Sequence, residues 1–396
     1  MIDAHMLDRL RTGTPGLSAG VHLNHAGASL LPAEALAAIH QHLALESRVG
    51  PMEAALLVAP QRDSVRRDAA SLLNADQDEI ALMGSASSAF GACFASMPML
   101  QKGDRILVGR QEWGGNLASY YRAAQRAGAR VELIPSRQDG SVDPAALAAC
   151  IDHRVRLISL TWLPANGGLI NDAAAIGAVA KAVRIPYLID AGQALGQLPI
   201  DVRALQCDVL IGACRKHLRG PRGTALLYIR RAFLEQLEPV WVDVSSAPFN
   251  DGKFAMRADA RRFETSEAPV ALQLGLGASI ALALALGPLN IAAQVAQTAR
   301  FLRERIAEVR GITLRDLGQP ANQSALVSFS VAGHEAGSVK SALARSNIYV
   351  SANGVPFTPL DMQARGLDSV VRASVSYLNT TEDVDKLVAA LERLTA

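Results

Sequence analysis

The fold is decided by Tyr187-Leu-Ile-Asp190-Ala-Gly-Gln193-Ala-Leu-Gly196 and by the segment that follows it, Cys207-Asp208-Val-Leu-Ile-Gly-Ala-Cys-Arg215-Lys216-His217-Leu-Arg-Gly220-Pro221-Arg-Gly223. Each segment contains a short apolar run that is typical of a buried strand. A carboxylate, Asp190, ends the first run, and Lys216 follows the second. A lysine beside a buried strand is costly unless some chemistry uses its nitrogen. The pair therefore marks a candidate functional site.

Short apolar runs alternate with helical patterns on both sides of this stretch. The alternation predicts βαβ units and a mainly parallel sheet. Seven strands are predicted: Ile80–Met83, Arg105–Val108, Val131–Ile134, Leu157–Thr161, Tyr187–Ile189, Val209–Ile211 and Ala225–Ile229. The return from Lys216 to Ile229 predicts one antiparallel strand. Beyond residue 262 the pattern changes to long helices and shorter strands, as in a smaller α+β lobe.

Length and composition agree with a two-domain α/β protein. The chain has 396 residues, which exceeds the usual size of a single core. We expect an arm at 1–20, a large domain at 21–262 and a small domain at 263–396. Half of the residues are hydrophobic and 19% are charged, which suits a sheet buried on both faces. The net charge is +2 and no basic block occurs, so nucleic acid is not an expected partner.

The cysteines and the apolar segments bear on the cellular setting. The four cysteines (Cys93, Cys150, Cys207 and Cys214) have neither CxxC nor Cys/His metal spacing, so we predict free thiols in a reducing cytoplasm and no metal site. The N-terminus lacks the basic and apolar regions of a signal peptide. The most apolar stretch, 270–286, contains Gln273 and several glycines, and we predict a buried helix there and no membrane span.

Three further motifs accompany the central stretch: Leu23-Asn24-His25-Ala26-Gly27-Ala28, Arg262-Phe263-Glu264, and Val371-Arg372-Ala373-Ser374 with Tyr377-Leu-Asn379-Thr380. In this order they resemble the class V aminotransferase family. That branch of the fold type I pyridoxal phosphate (PLP) enzymes holds cysteine desulfurases, C–S lyases and isopenicillin N epimerase-like proteins. The resemblance implies an α/β fold type I architecture with a seven-stranded sheet, bound PLP, a small amino-acid substrate and a homodimer with a shared active site.

A PLP enzyme needs both members of the central pair. A lysine forms a Schiff base with the cofactor, and a carboxylate keeps the pyridinium nitrogen protonated so that the ring acts as an electron sink. The resemblance assigns these roles to Lys216 and Asp190, and it places Gln193 at the ring oxygen or the Schiff base. Asp190 ends a strand, where open α/β sheets bind ligands. The simpler alternatives are a capping aspartate, a surface glutamine and a solvated lysine.

The cofactor phosphate is assigned mainly to Ser85, Ala86 and Ser87, which follow a predicted strand and open a helix. A helix N-terminus is suited to anions, although such a serine can also be a plain N-cap. The resemblance adds Arg215 and Ser266 as further phosphate contacts. Ala213 stands where relatives often have a serine or threonine on the phosphate.

Three more residues are assigned by the resemblance. Trp113 is predicted to stack on the ring, because Gly114 occupies the place where relatives often have a stacking histidine; a core or interface tryptophan is the alternative. Asn166 is predicted to touch the ring oxygen. Arg372 matches the arginine that clamps the substrate carboxylate with a two-pronged hydrogen bond, where a surface salt bridge is the alternative.

The reaction is indicated by what one loop lacks. Relatives that transfer sulfur carry a cysteine in the loop that corresponds to residues 351–368, and this loop has none. We therefore predict β-elimination, a C–S lyase activity on a cysteine-derived substrate. A class V aminotransferase or an isopenicillin N epimerase-like racemase is the alternative. A cysteine desulfurase and a non-catalytic PLP-binding protein are less favoured.

Overall fold

The computed structural model describes residues 2–395. Its strands are β1 Val21–His22, β2 Ile80–Met83, β3 Arg105–Val108, β4 Arg130–Leu133, β5 Val155–Thr161, β6 Tyr187–Asp190, β7 Val209–Ala213, β8 Ala225–Ile229, β9 Phe249–Asn250, β10 Lys253–Phe254, β11 Ile312–Leu314, β12 Leu326–Val331, β13 Ile348–Tyr349, β14 Ser351–Gly354 and β15 Ser369–Ser374.

The α-helices are α1 Ala4–Thr12, α2 Ala33–Val49, α3 Pro51–Leu57, α4 Ala59–Leu73, α5 Ala86–Ala95, α6 Gly114–Ala127, α7 Pro144–Cys150, α8 Ala173–Val183, α9 Val202–Leu205, α10 Arg231–Leu234, α11 Val270–Leu286, α12 Pro288–Ala307, α13 Ala336–Arg345, α14 Pro359–Ala364 and α15 Thr381–Thr395. Short 3-10 helices span Pro15–Ala19, Gln77–Glu79, Ala260–Phe263 and Val355–Phe357.

The central sheet has seven strands in the order β2-β8-β7-β6-β5-β3-β4. Five neighbouring strands run parallel to one another: β4, β3, β5, β6 and β7. Strand β8 runs antiparallel to both of its neighbours, β7 and β2. The mainly parallel α/β sheet is confirmed, and the return after Lys216 forms its antiparallel strand. Thr161 pairs with Asp190, and Asp190 pairs with Ile211. The carboxyl ends of β5, β6 and β7 therefore meet at one edge, where such sheets bind ligands.

Both faces of this sheet are buried, because alternate residues of each strand enter different apolar clusters. Ile106 and Val108 of β3 pack with Phe90 of α5 and Leu117 of α6. Leu107 belongs to the cluster on the opposite face, which also contains side chains of α8 and α11. The near-continuous apolar strands of the sequence follow from this double burial.

A second sheet has four antiparallel strands in the order β11-β12-β15-β14. Side chains of α12, α13 and α15 pack with its strands. The N-terminal segment also reaches this part of the chain, since β1 pairs in parallel with β13 and Asn24 bridges to Ser374. The domain boundaries at residues 20 and 262 stay a prediction.

The predicted junction motif contains a buried ion pair. Glu264 accepts two hydrogen bonds from the Arg66 guanidinium, at 2.7 and 3.1 Å. The same carboxylate accepts a hydrogen bond from the Leu82 amide at 2.8 Å. A buried guanidinium without its partner would be strongly destabilising. This cluster therefore joins the segment that follows the 3-10 helix Ala260–Phe263 to α4 and β2.

The apolar stretch 270–286 forms α11, which packs against α2 and α4. Over residues 2–395, no single helix has both the length and the hydropathy to cross a membrane. Helices α11 and α12 reach that level only as a pair, and they meet at an angle of 82°.

Candidate active site

Lys216 and Asp190 lie close together at the carboxyl edge of the sheet. Gly192 adjoins both, because a Cβ atom at that position would lie 2.9 Å from Asp190 Oδ1 and 3.4 Å from Lys216 Nζ. Burial lowers the pKa of Lys216 to about 8; the negative charge of Asp190 opposes this shift, and the charges of Arg215 and Arg372 add to it. At neutral pH, a larger fraction of Lys216 than of an exposed lysine is therefore the neutral amine, which can act as a nucleophile or a base.

The Asp190 carboxylate is held by two hydrogen bonds. The Gly192 amide donates to Oδ1 at 2.8 Å, and the Asn116 side-chain amide donates to Oδ2 at 2.9 Å. Asn116 lies in the first turn of α6 and is buried. One hydrogen bond comes from the turn after β6 and the other from a neighbouring helix, so the carboxylate orientation depends on both elements.

A second carboxyl group, Glu112, lies behind this contact. Its Oε1 accepts hydrogen bonds from Thr161 Oγ1 at 2.7 Å, from Asn116 Nδ2 at 3.1 Å and from the Trp113 amide at 3.1 Å. Glu112 is only 1% exposed. Burial raises the pKa of Glu112 to about 7; hydrogen bonds from Thr161, Asn116 and Ser159 oppose the shift, and the charge of Asp190 adds to it.

Glu112 and Asn116 are not among the site residues predicted from the sequence. Two sequence signals mark them in retrospect. Glu112 directly precedes the N-cap of α6 and Asn116 lies in the first turn, so both polar side chains belong to one helix start. Ser159 and Thr161 place hydroxyl groups two residues apart, on one face of the otherwise apolar strand β5.

Gln193 is buried beside the N-terminal segment. Its Nε2 donates to the Ala26 carbonyl at 3.1 Å. The Ala26 amide in turn donates to Ser374 Oγ at 2.9 Å. The other amide atom of the side chain, Gln193 Oε1, is buried and has no partner within residues 2–395. Buried polar atoms are normally hydrogen-bonded, so the free oxygen indicates a position for a ligand donor.

Arg372 lies on β15, opposite Ser351 of β14, and is only 4% exposed. Its Nη1 donates to the Ala165 carbonyl at 2.8 Å, while its buried Nε has no partner in the described part of the chain. Burial lowers the pKa of Arg372 to about 10, and the charge of Arg215 adds to the effect. A buried guanidinium with a free Nε edge fits a carboxylate ligand better than the alternative of a surface salt bridge.

Asn166 is buried, and both ends of its amide are used within the chain. Its Nδ2 donates to Thr358 Oγ1 at 3.0 Å, and its Oδ1 accepts from Asn353 Nδ2 at 2.9 Å. These bonds connect the turn after β5 to β14 and the loop before α14. A contact with a cofactor ring would have to be made in addition to them.

Trp113 lies near the lysine, with Lys216 Nζ 5.9 Å from the centre of its ring. The ring also packs against Phe357, at a centroid distance of 5.6 Å. The neighbouring Gly114 has no room for a side chain, because a Cβ atom there would collide with the Pro356 carbonyl oxygen. The backbone of the loop 354–358 therefore occupies the space that a stacking histidine at position 114 would need.

The predicted phosphate residues lie nearer the surface. Ser85 caps α5, its hydroxyl accepting from the Ser88 amide at 3.0 Å, and it is exposed together with Ser87. Ser266 is also exposed, and its amide donates to Asp243 Oδ2 at 2.6 Å. The Arg215 guanidinium donates to the Gly27 carbonyl. The structure thus gathers Lys216, Asp190, Trp113 and Arg372 in one site, and it leaves the start of α5 open to solvent.

The chain matches the family model of aminotransferase class-V over residues 21–387. It is similar to the cysteine desulfurase of Pectobacterium atrosepticum, with 29% identity over 363 residues that cover 90% of this chain and 87% of that protein. The solved cysteine desulfurase CsdA of Escherichia coli has a TM-score of 0.88 and 25% identity, and the match covers 98% of each chain.

The cystine C–S lyase C-DES, solved with its product cysteine persulfide, shares the fold at a TM-score of 0.86, with 24% identity over 96% of this chain and 99% of that one. Another C-DES structure holds glycine linked covalently to its PLP cofactor. The predicted fold type I architecture and the PLP cofactor are confirmed by these relatives. The chain belongs to the class V aminotransferase family of PLP-dependent enzymes.

Proposed function

We propose that this protein is a C–S lyase that performs β-elimination on a cysteine-derived amino acid without a persulfide-forming cysteine. The observation that carries the proposal is the placement of its four cysteines. Cys93, Cys207 and Cys214 are buried, and Cys150 is partly exposed. Burial raises the pKa of the Cys93 and Cys214 thiols to about 12, which makes them poor nucleophiles.

Cys150 is also badly placed for sulfur transfer. It ends α7, and its carbonyl accepts a hydrogen bond from Arg105 Nη1 at 2.8 Å. Arg105 begins β3, so Cys150 lies at the amino edge of the parallel strands, whereas Lys216 and Asp190 lie at the carboxyl edge. In the loop that packs against Trp113, the residues are Val355, Pro356 and Phe357. The loop therefore offers the site no thiol.

The residues of the site fit PLP. Lys216 supplies a buried amine for the covalent link, and Asp190 supplies a carboxylate whose orientation is already held by Gly192 and Asn116. The partnerless Gln193 Oε1 suits a donor on the cofactor or substrate. The first turn of α5 presents backbone amides and serine hydroxyls for the phosphate.

When bound, PLP supplies an electron sink that makes the substrate Cα–H bond acidic. Lys216 then accepts that proton, which its lowered pKa allows near neutral pH. Arg372 binds the substrate carboxylate through its free Nε edge and so orients the Cα–H bond toward the base. The sulfur group leaves Cβ with the electron pair of the Cβ–S bond and is protonated to a thiol or related sulfur compound, and the aminoacrylate released reacts with water to give pyruvate and ammonia.

A class V aminotransferase is the second candidate, because Lys216, Asp190 and Arg372 serve proton transfer in either reaction. Racemisation at Cα would need the same three groups. The curated relatives are named cysteine desulfurases. That activity would need a reactive thiol at the site, whereas Cys214, two residues before Lys216, is buried and its pKa is raised to about 12. A non-catalytic PLP-binding protein would have no use for the free Nε edge of Arg372.

We also propose a homodimer. The N-terminal segment does not supply its surface, because Leu23, His25 and Ala26 are buried within their own chain. Large apolar side chains are exposed elsewhere, on α3 and in the segment 240–256: Met52, Leu56, Leu57, Val240, Trp241, Val244, Phe249 and Phe254. Such patches are typical of subunit interfaces. Ser85, Ser87 and Ser266 are exposed to solvent, which is consistent with a site that a second copy of the chain completes.

The attachment of PLP to the apoprotein should follow the ionisation of Lys216. Because only the neutral amine attacks, the attachment rate should rise about tenfold per pH unit below pH 8 and become constant above it. Stopped-flow absorbance measures this rate. Borohydride reduction and peptide mass spectrometry should place the adduct on Lys216, in wild type and in the exposed-lysine control Lys340→Ala. An adduct on another lysine would contradict the assignment.

Arg372→Lys keeps the positive charge but loses the planar fork. The variant should show a kcat/KM lower by about tenfold or more, or about 1.4 kcal/mol of lost transition-state stabilisation. Its PLP content and absorbance should stay unchanged. Arg345→Lys, at an exposed position of α13, is the matched control. Full activity of Arg372→Lys would mean that this arginine is only structural.

Product analysis tests the reaction itself. A panel of cysteine-derived amino acids should yield pyruvate, ammonia and a sulfur-bearing product in equal amounts. Cys150→Ser, and the variant in which all four cysteines are replaced by alanine, should retain turnover within a few-fold, since no thiol takes part. If either folded variant is inactive, the protein uses a cysteine after all. Accumulation of pyridoxamine phosphate without pyruvate would establish the aminotransferase instead.

Sedimentation at micromolar concentration should give about twice the chain mass. Leu56→Asp and Phe254→Asp should weaken the association, because each would bury a charge at the proposed interface. Leu289→Asp, a comparably exposed leucine at the start of α12, is the control. A stable and active wild-type monomer would refute the dimer.

A further inference from the structure

We infer that Glu112 is a positioning residue that acts through Asn116 to hold the Asp190 carboxylate in the orientation required for contact with the cofactor ring nitrogen. The inference rests on the role proposed for Asp190. It gives a function to a buried carboxyl group that the proposed reaction does not otherwise use.

The bridge between the two carboxyl groups is one nitrogen atom. Asn116 Nδ2 lies 2.9 Å from Asp190 Oδ2 and 3.1 Å from Glu112 Oε1. A primary amide nitrogen carries two hydrogens, so one can point to each carboxyl group. Both donors of the Asn116 side chain are then used, and both are used on acidic partners.

Glu112 decides which end of the Asn116 amide faces Asp190. An asparagine amide can rotate by half a turn, which would place its oxygen against the Asp190 carboxylate and repel it. Glu112 Oε1 prevents that rotation because it requires a donor. Glu112 itself cannot turn away, since Thr161 Oγ1 and the Trp113 amide also donate to the same oxygen.

The arrangement holds whether or not Glu112 carries a proton. Its other oxygen, Oε2, lies 3.1 Å from Ser159 Oγ, and Tyr120 donates its hydroxyl to Ser159 at 2.8 Å. Since Oε1 already has three donors, Oε2 is the oxygen left to carry a proton. The raised pKa of Glu112 therefore does not disturb the bond to Asn116. The titratable groups that face Glu112 are Asp190 and Tyr120.

If Glu112 had a purely structural role, its substitution would have a different effect. In that case its only effect would be to satisfy the hydroxyl and amide groups between β5 and α6, and its loss would lower the melting temperature without affecting the cofactor. In a positioning role, its loss changes the electronic state of the cofactor in protein that is still folded.

The test uses holoenzyme loaded with PLP labelled with ¹⁵N in the ring, whose NMR shift reports protonation of the ring nitrogen. Glu112→Met and Asn116→Leu should each move the shift toward the unprotonated value and raise the PLP dissociation constant about tenfold, the effect of losing one hydrogen bond to a charged group. They should lower kcat more than they change KM. The double variant should resemble either single variant, because both act on one path.

Two further variants keep the test decisive. Glu112→Gln retains an acceptor for Asn116, Thr161 and the Trp113 amide and a donor toward Ser159, so it should restore the wild-type shift even if Glu112→Met folds poorly. Glu392→Met, an exposed glutamate on α15, should change nothing.

Asp190→Asn separates this inference from the proposed role of Asp190. We expect it to move the ring-nitrogen shift at least as far as Asn116→Leu does. If Asp190→Asn leaves the shift unchanged, the role of Asp190 and the inference both fail. If Asp190→Asn moves the shift while folded Glu112→Met and Asn116→Leu do not, only the inference is overturned.

Discussion

The structure depends on keeping one lysine amine and one carboxylate together at a buried edge of a sheet. Removing either charge from water is costly, and their mutual attraction offsets that cost only when other hydrogen bonds complete the geometry. Here the turn after β6 and the first turn of α6 supply those bonds to Asp190. The positive charges of Arg215 and Arg372 lower the pKa of Lys216 and so destabilise its ammonium form. The result is a reactive amine beside a fixed anion.

The central sheet could be predicted from the sequence because its information is local. Apolar runs such as Ile80–Met83 and Ala225–Ile229 coincide with strands, and the Gly-Pro turn after Lys216 leads into the antiparallel strand β8. Asp190 and Lys216 could be found for the same reason, since Asp190 ends β6 and Lys216 lies three residues beyond the end of β7. Parallel pairing then brings their ends to one edge without any further specification.

The remainder of the site depends on contacts between distant segments, which no local pattern encodes. Glu112 matters because β5 presents Ser159 and Thr161 to it, and that pairing exists only once the sheet has formed. Arg215 was predicted as a phosphate contact from its place before the lysine. That contact stays a prediction; what the sequence did not indicate is that its guanidinium donates to the Gly27 carbonyl, because the N-terminal segment pairs with β13 and bridges to Ser374 of β15.

At Gly114, the absence of a side chain allows the loop 354–358 to approach Trp113. Gly114 leaves space beside Trp113, and the Pro356 backbone fills it. The loop is thereby brought against the aromatic ring, where Phe357 packs on Trp113 and Thr358 bonds to Asn166. A cysteine that delivers sulfur must move between the substrate and an acceptor, which requires a mobile loop. A loop anchored by backbone, aromatic and hydrogen-bond contacts agrees with the proposed elimination, in which no protein group has to move between the substrate and an acceptor.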